Sequence, residues 1–255
     1  MVHEAGGYRL DTFRHIALDE VDSTNTVCFE HARSGDPGRL WVTARRQRGG
    51  RGRRGRAWVS EPGNLYASLL LVDPAPRAAL ASLPLVVALA LHRAIAAEMP
   101  FAGDRIRIKW PNDVLVDGLK VSGILIEAES VGDGRNAVVI GCGVNIAHKP
   151  DNPLYPATSL SEAGASTAPD ALFARLMVEL AHALDTWRAG EGLDDIVSAW
   201  KALVHGIGQP ITVNLPDKSL SGIFADIERD GLLMLRLDGG ETLRIASGDV
   251  FFSRK

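Results

Sequence analysis

"RIRIKWPNDVLVDGLKVSGILIEAES" runs from Arg105 to Ser130, and "NAVVIGCGVNI" follows at Asn136–Ile146. These segments hold four short runs of β character: RIRIKW, DVLVDG, LKVSGILIEAES and NAVVIGCGVNI. Asp117-Gly118 and Asp133-Gly134 supply hairpin-turn chemistry between them, since Asp-Gly tolerates positive φ at both central positions. No helical period separates the runs. Parallel strands need a crossover of a dozen residues or more, so four successive runs joined by turns must pair as antiparallel meanders. The reading is α+β, with a mixed, largely antiparallel sheet backed by helices, rather than a repeated βαβ wrap.

Upstream, FRHIALDEV (Phe13–Val21) reads as a first strand. DSTNTVCFEHARSG then reads as a helix, with Ser23 or Thr24 as N-cap and Gly35 as stop signal. RLWVTARRQ and NLYASLLLV read as strands on either side of a glycine–arginine loop. A long helix is expected from the late seventies to about Met99. Its apolar run, Ala78–Leu91, is shorter than the roughly 20 residues a bilayer requires, so it is read as a buried helix and no membrane partner is expected. Downstream, Ala147–Ser166 is a long loop with three prolines, and two helical stretches follow it. Near His205 the texture changes to short strands with turn signals. Residues 1–204 are expected to form a large domain and 205–255 a small β-barrel, too small to be more than marginally stable alone.

Composition narrows the class. Hydrophobic residues make up 46% of the 255 positions, enough for a sizeable core, and the formal net charge is −3. A protein coated for nucleic acid would be basic overall, so any cationic feature here is local. Cys28 and Cys142 are too few for a disulfide framework and sit among apolar neighbours. The N-terminal residues lack the apolar core of a signal peptide, and a cytoplasmic location is expected.

The local cationic feature is GGRGRRGRAW, Gly49–Trp58. Gly50, Gly52 and Gly55 satisfy G-x-G-x-x-G, but a dinucleotide fold needs a helix directly afterwards, and Pro62-Gly63 forbids one. Seven arginines lie between Arg45 and Arg56, which is excessive for solubility alone. Arginine grips phosphate bidentately and glycine lets backbone N–H groups approach, so the loop suits either a nucleic acid or one nucleotide. Its neighbours decide. In KWPNDVLVDGLKVSGILIE, Pro111 fixes a turn that presents Asn112 and Asp113 together. An exposed Asp113 beside a phosphate loop would make a natural magnesium ligand. Lys120 brings a single charge into an apolar strand, and Gly123 opens the backbone beside it.

Together these motifs carry a resemblance. DSTNT, Gln47, GRGRRGR (Gly50–Arg56), KWPNDVLV, KVSGILIE, GCGVNI and PATSL occur in the order seen in biotin–protein ligases. The likeness spans nearly the whole chain. It implies a fold related to class II aminoacyl-tRNA synthetases and lipoate ligases, with a small C-terminal SH3-like barrel. It implies that ATP and biotin are joined as biotinyl-5′-AMP, with Mg2+, before biotin passes to a lysine of a biotin carboxyl carrier domain. By that likeness Lys120, Arg53 and Asp113 are the catalytic residues. Ser23, Thr24, Asn25, Gln47, Gly50, Arg51, Lys120 and Gly123 would bind biotin. Arg51, Arg53, Arg54, Arg56, Trp58, Asn112 and Asn145 would bind the nucleotide, and Asp113 the metal. Many relatives carry an N-terminal DNA-binding domain. The roughly 22 residues before Ser23 leave no room for a helix-turn-helix, so no nucleic-acid partner is expected. Lipoate–protein ligase activity and a nucleic-acid-binding module are the alternatives. The glycine content predicts a loop that takes one conformation only when ligand orders it. The proline segment carrying Leu154, Tyr155 and Leu160 is expected to close over the adenosine.

Overall fold

The computed structural model describes residues 7–151 and 155–252. β1 (Arg14–Val21) enters first, α1 (Thr24–Arg33) crosses over, and β2 (Leu40–Gln47) returns parallel to β1. Every later pairing in this sheet is antiparallel: β3 (Leu65–Val72), β4 (Ile106–Lys109), β5 (Asp113–Val116), β6 (Leu119–Ser130) and β7 (Asn136–Val144). The strand order is β1-β2-β3-β7-β6-β5-β4. Both Asp-Gly turns have positive φ at each central residue, 53° and 76° at Asp117-Gly118 and 48° and 72° at Asp133-Gly134, as the meander reading requires. Ser23 stands at the N-cap of α1, but its side chain makes no capping bond. Capping is therefore not its role.

Strand alternation sorts the side chains onto two faces. Trp41, Leu69, Leu71, Val138 and Ile140 join the main core beneath α2 (Leu83–Glu98) and α3 (Pro169–Trp187). Leu40, Val42, Leu70, Ala137 and Val139 face the other way and pack on Cys28, Phe29 and Ala32 of α1. The helical stretch Ala79–Glu98 is longer than its apolar run suggested, and by length and composition alone it could cross a membrane. Here Leu83 and Leu85–Leu91 are all buried, and α2 packs against both α3 and α4 (Leu193–Leu203). A helix apolar on every side is the expected form of a core helix.

The C-terminal residues form a second antiparallel sheet in the order β11-β10-β9-β8-β12. Its strands are β8 (Pro210–Asn214), β9 (Ser219–Ile227), β10 (Leu233–Arg236), β11 (Thr242–Ile245) and β12 (Asp249–Phe252). Ile211, Val213, Phe224, Leu235 and Val250 belong to the same core as α2 and α3. The Trp110 indole N–H donates to Gly231 O at 3.0 Å, fastening this sheet to the turn after β4.

The α1 face of the large sheet is only half covered. Beyond the first turn of α1 the same face continues as a floor of small residues: Gly141 and Gly143 on β7, in line with Val139, and Gly123 on β6 opposite Gly143. The Trp58 ring lies on this floor. A Cβ at Gly143 would sit 2.6–2.8 Å from ring atoms, and one at Gly123 would sit 3.1 Å away. Gly143→Ala is therefore expected to cost about 1–3 kcal/mol of stability through overpacking. Gly239→Ala, where a Cβ meets nothing within 4 Å, is the neutral control in the same denaturant titration.

Cys28 and Cys142 are both buried, and burial pushes both thiols up to about 12. The folded protein holds them protonated throughout the pH range where a free thiol near 8.5 ionises. Iodoacetamide at pH 8 should modify neither cysteine in the folded chain and both in denaturant, as read by mass spectrometry. Rapid labelling of the native protein would contradict this packing.

Candidate active site

Over the glycine floor lies a cleft open to solvent. One wall is the start of α1 and the end of β2. The opposite walls are the glycine–arginine loop, the turn before β5, Tyr155, and the start of β12.

The α1 end is polar and largely buried, with the Arg51–Glu127 ion pair at its edge. Thr24 N and Thr24 Oγ1 both donate to Gln47 Oε1, at 2.9 and 3.1 Å. Gln47 Nε2 donates to Ser60 Oγ at 3.0 Å. Ser68 Oγ, on β3, lies 2.7 Å from Thr24 Oγ1 and 2.6 Å from Asn25 Oδ1. Asn25 Nδ2 donates to Glu127 Oε2 at 2.8 Å. Ser23, Thr24 and Asn25 are all buried. Such an end recognises a neutral group carrying both donors and acceptors.

The other end is cationic. Lys120 Nζ lies 2.7 Å from Asp113 Oδ1 and 5.6 Å from the centre of the Trp58 ring. Arg53 Nη1 donates to Asn112 Oδ1 at 2.8 Å, and Asn112 Nδ2 donates to Ile124 O at 2.6 Å. Lys109 is buried, its ammonium 4.3 Å from the Tyr155 ring centre. Burial draws Lys109 below the ordinary lysine range, against the pull of Asp113. Burial likewise lowers Arg53, opposed by Asp249 and Asp113. Among the described residues, Arg53 is the one arginine of the seven without an ion pair. Arg45, Arg46 and Arg48 pair with Asp19, Glu20, Asp22 or Glu61, Arg51 with Glu127, and Arg54 and Arg56 with Asp249. The run is thus not a uniform cationic surface. It directs one uncompensated charge into the cleft.

The structure brings Ser23, Thr24, Asn25, Gln47, Arg51, Arg53, Arg56, Trp58, Asn112, Asp113, Lys120 and Gly123 to this cleft. Three expected residues do not line it. Gly50 lies behind the wall, where a Cβ would sit 2.5 Å from both Ser60 Oγ and Trp58 O, so its part is to let the loop close. Arg54 turns away to Asp249 at 2.9 Å. Asn145 is buried and donates to Thr158 O at 3.2 Å, tying down the proline segment. Asp113, expected to be exposed, is buried and ion-paired, because β5 and β6 set it opposite Gly123 and beside Lys120. In the glycine–arginine loop an Arg51–Ala57 bridge closes the turn and Asp249 holds Arg54 and Arg56. The proline segment is also partly strand-like. Lys120 N donates to Pro156 O and Thr158 N to Lys120 O, at 2.9 and 3.0 Å. Leu160 is buried, Tyr155 faces the cleft, and Leu154 lies outside the described residues. Sequence reading missed Ser68 and Asp249, gave Lys109 no role although it stands inside KWPNDV, and named Tyr155 only as part of the proline segment.

Residues 17–145 match the Biotin/lipoate A/B protein ligase family, and residues 206–253 match the biotin protein ligase C terminal domain. A biotin--[acetyl-CoA-carboxylase] ligase of Paracoccus denitrificans is 38% identical over 244 residues, spanning 92% of this chain and 99% of that protein. The bifunctional ligase/repressor BirA of Escherichia coli is 33% identical over 239 residues, spanning 91% of this chain and 72% of that protein. The biotin protein ligase of Aquifex aeolicus in complex with biotin and ATP superposes with a TM-score of 0.79 at 26% identity, covering 95% of this chain and 99% of that one. Identity of this extent along almost the whole sequence, carried on the same fold, makes this chain a member of the biotin protein ligase family.

Proposed function

We propose that the chain joins biotin to ATP as biotinyl-5′-AMP, releasing pyrophosphate, and then passes biotin to a lysine of a carboxylase's biotin carboxyl carrier domain. The observation that carries this reading is the division of one cleft into a hydrogen-bonding end and a cationic end that holds Lys120. Biotin is a mostly apolar bicycle with a ureido group at one end and a carboxylate at the other. Ser23, Thr24 and Gln47 suit the ureido group. With the ureido group at that end, the carboxylate is left to reach towards Lys120. The named activities of the relatives support the reading: those of Paracoccus denitrificans and Mycobacterium tuberculosis are biotin--[acetyl-CoA-carboxylase] ligases. The Aquifex aeolicus protein holds both biotin and ATP.

In the first step a carboxylate oxygen of biotin bonds to the α-phosphorus of ATP, and the bond to the bridging oxygen breaks to release pyrophosphate. Two anions must meet, so fixed positive charge is required where they approach. Lys120 and Arg53 supply it, with Arg51 at the rim. A phosphate drawn to Lys120 competes with its bond to Asp113 and leaves that carboxylate available. Among the described residues no group of three or more carboxylate, His or Cys side chains is arranged for a metal. The oxygen donors present, Asp113 with Asn112 beside it, fit a magnesium ion that arrives already held by phosphate and water. Such an ion neutralises phosphate charge when bound. In the second step the acceptor amine must first lose a proton, because an ordinary lysine near 10.4 is charged at neutral pH. Asp113, once released from Lys120, is a candidate for that base. Two unpaired thiols and a need for ATP fit a cytoplasmic setting.

Mixing the protein with biotin, ATP, magnesium and a carrier domain should add one biotin to one carrier lysine, as seen by mass spectrometry. Pyrophosphate release driven by lipoate and not by biotin would overturn the assignment. Lys120→Ala should slow biotin-dependent ATP–pyrophosphate exchange by about 10²-fold or more while the melting curve stays cooperative. Exchange at the wild-type rate would remove Lys120 from the mechanism.

A further inference from the structure

We infer that Asp249, on the first residue of β12, is a positioning residue for the glycine–arginine loop, so that the C-terminal sheet sets the geometry of the cationic end of the cleft. Asp249 is only 9% exposed and accepts from two arginines. Arg54 Nη1 lies 2.9 Å from its Oδ2, Arg56 Nη1 3.4 Å from its Oδ1, and Arg56 Nη2 also bonds Oδ2. Its neighbour Gly248 accepts from Arg53 Nη2 through its carbonyl at 3.3 Å. Two residues of the C-terminal sheet's edge therefore hold three loop arginines. They hold them differently. The carboxylate pairs with both Arg54 and Arg56, while Arg53 meets a neutral carbonyl.

The loop would not keep this shape by itself. Arg54 has φ 57° and ψ 31°, a left-handed conformation that costs a non-glycine residue free energy unless its surroundings impose it. Its bond to Asp249 is the contact that imposes it. The grip extends to the proline segment. Arg56 Nη1 donates to Tyr155 Oη at 3.2 Å, and the Tyr155 ring stacks on Phe251 of β12 with centres 5.0 Å apart. Both segments that border the cationic end are thus fastened to one short strand. Burial alone would raise the Asp249 carboxyl, but the Arg56 hydrogen bond and the charges of Arg56, Arg54 and Arg53 hold it below the usual carboxylate range. The division of labour follows: Arg54 is an anchor, Arg56 an anchor at the cleft's rim, and Arg53 the phosphate-facing charge.

This inference rests on the cleft being an adenylate-forming site, and its test separates the two. In the full-length protein, hydrogen–deuterium exchange reports loop order without any substrate. Amides of residues 51–57 should exchange about 10-fold faster or more in Asp249→Asn, with Asp249→Glu closer to wild type. In biotin-dependent ATP–pyrophosphate exchange, Asp249→Asn should raise the KM for ATP and speed biotinyl-AMP dissociation, each by about 10-fold or more, while thermal unfolding stays cooperative. Arg54→Ala, which removes a side chain outside the cleft, should reproduce part of the loss. Combined with Asp249→Asn it should add little, because both break one clasp. Wild-type loop exchange and wild-type KM in Asp249→Asn would overturn the inference, as would losses that multiply in the double variant. If Asp249→Asn does not fold, Arg54→Ala alone must show the faster loop exchange and the raised KM, and their absence overturns it equally. A wild-type chain with no biotin-dependent exchange would instead strike the proposed function, leaving the amide measurement to judge the clasp.

Discussion

Strand alternation along β3, β6 and β7 is the constraint on which the rest of this molecule depends. One face must be apolar to bury α2 and α3, and it is, from Leu69 and Leu71 to Val138 and Ile140. The opposite face divides along its length. Leu70, Ala137 and Val139 meet α1, and Ser68, Gly141, Gly143 and Gly123 continue the same face as the floor of a cleft. The active site is thus the uncovered remainder of a core face. A slip of one residue in the β6–β7 register would put Cys142 and Ile124 on the floor and the glycines in the core.

Electrostatics divides the cleft that this floor defines. Near α1, Thr24, Gln47, Ser60, Ser68 and Asn25 satisfy one another, so the end is polar, with the Arg51–Glu127 ion pair at its edge. Towards β5 and the C-terminal sheet, Lys109, Lys120 and Arg53 bring positive charge into partly desolvated surroundings, where charge interactions are stronger than in water. Among the described residues the other arginines of the run are ion-paired with carboxylates, which leaves Arg53 as the one without an ion pair. The balance of paired and unpaired arginines, more than their number, gives the loop its chemistry.

The two sheets act as one unit because the small one leans on the large one through core contacts and through polar ones. Trp110 to Gly231 and the Asp249 cluster are among the polar contacts, and both touch residues next to the cleft. A sheet of about 50 residues buries too little apolar surface to be secure alone. Its docking against the turn before β5 lets its stability and the geometry of the site support each other.

The sequence by itself determined the element types, the meander, the fold class and most of the cleft's lining. Those features are local: period-two apolar runs, Asp-Gly turns, and motifs whose residues lie within a few positions of one another. It also pointed to the arginine loop and the KWPNDV turn as parts of one site, and both line the same cleft. Only the tertiary structure decided how each arginine of the loop is partnered. Arg51, Arg53, Arg54 and Arg56 look alike in the chain, and what separates them is Glu127, which pairs with Arg51, and Asp249, nearly two hundred residues away, which pairs with Arg54 and Arg56, together with the left-handed turn at Arg54. The same holds for Asp113, which reads as exposed until β6 places Lys120 against it, and for Asn145, whose amide is spent on Thr158. Ser68 and Tyr155 carry no motif of their own. Their roles come from pairing across strands and between sheets, which local pattern does not encode.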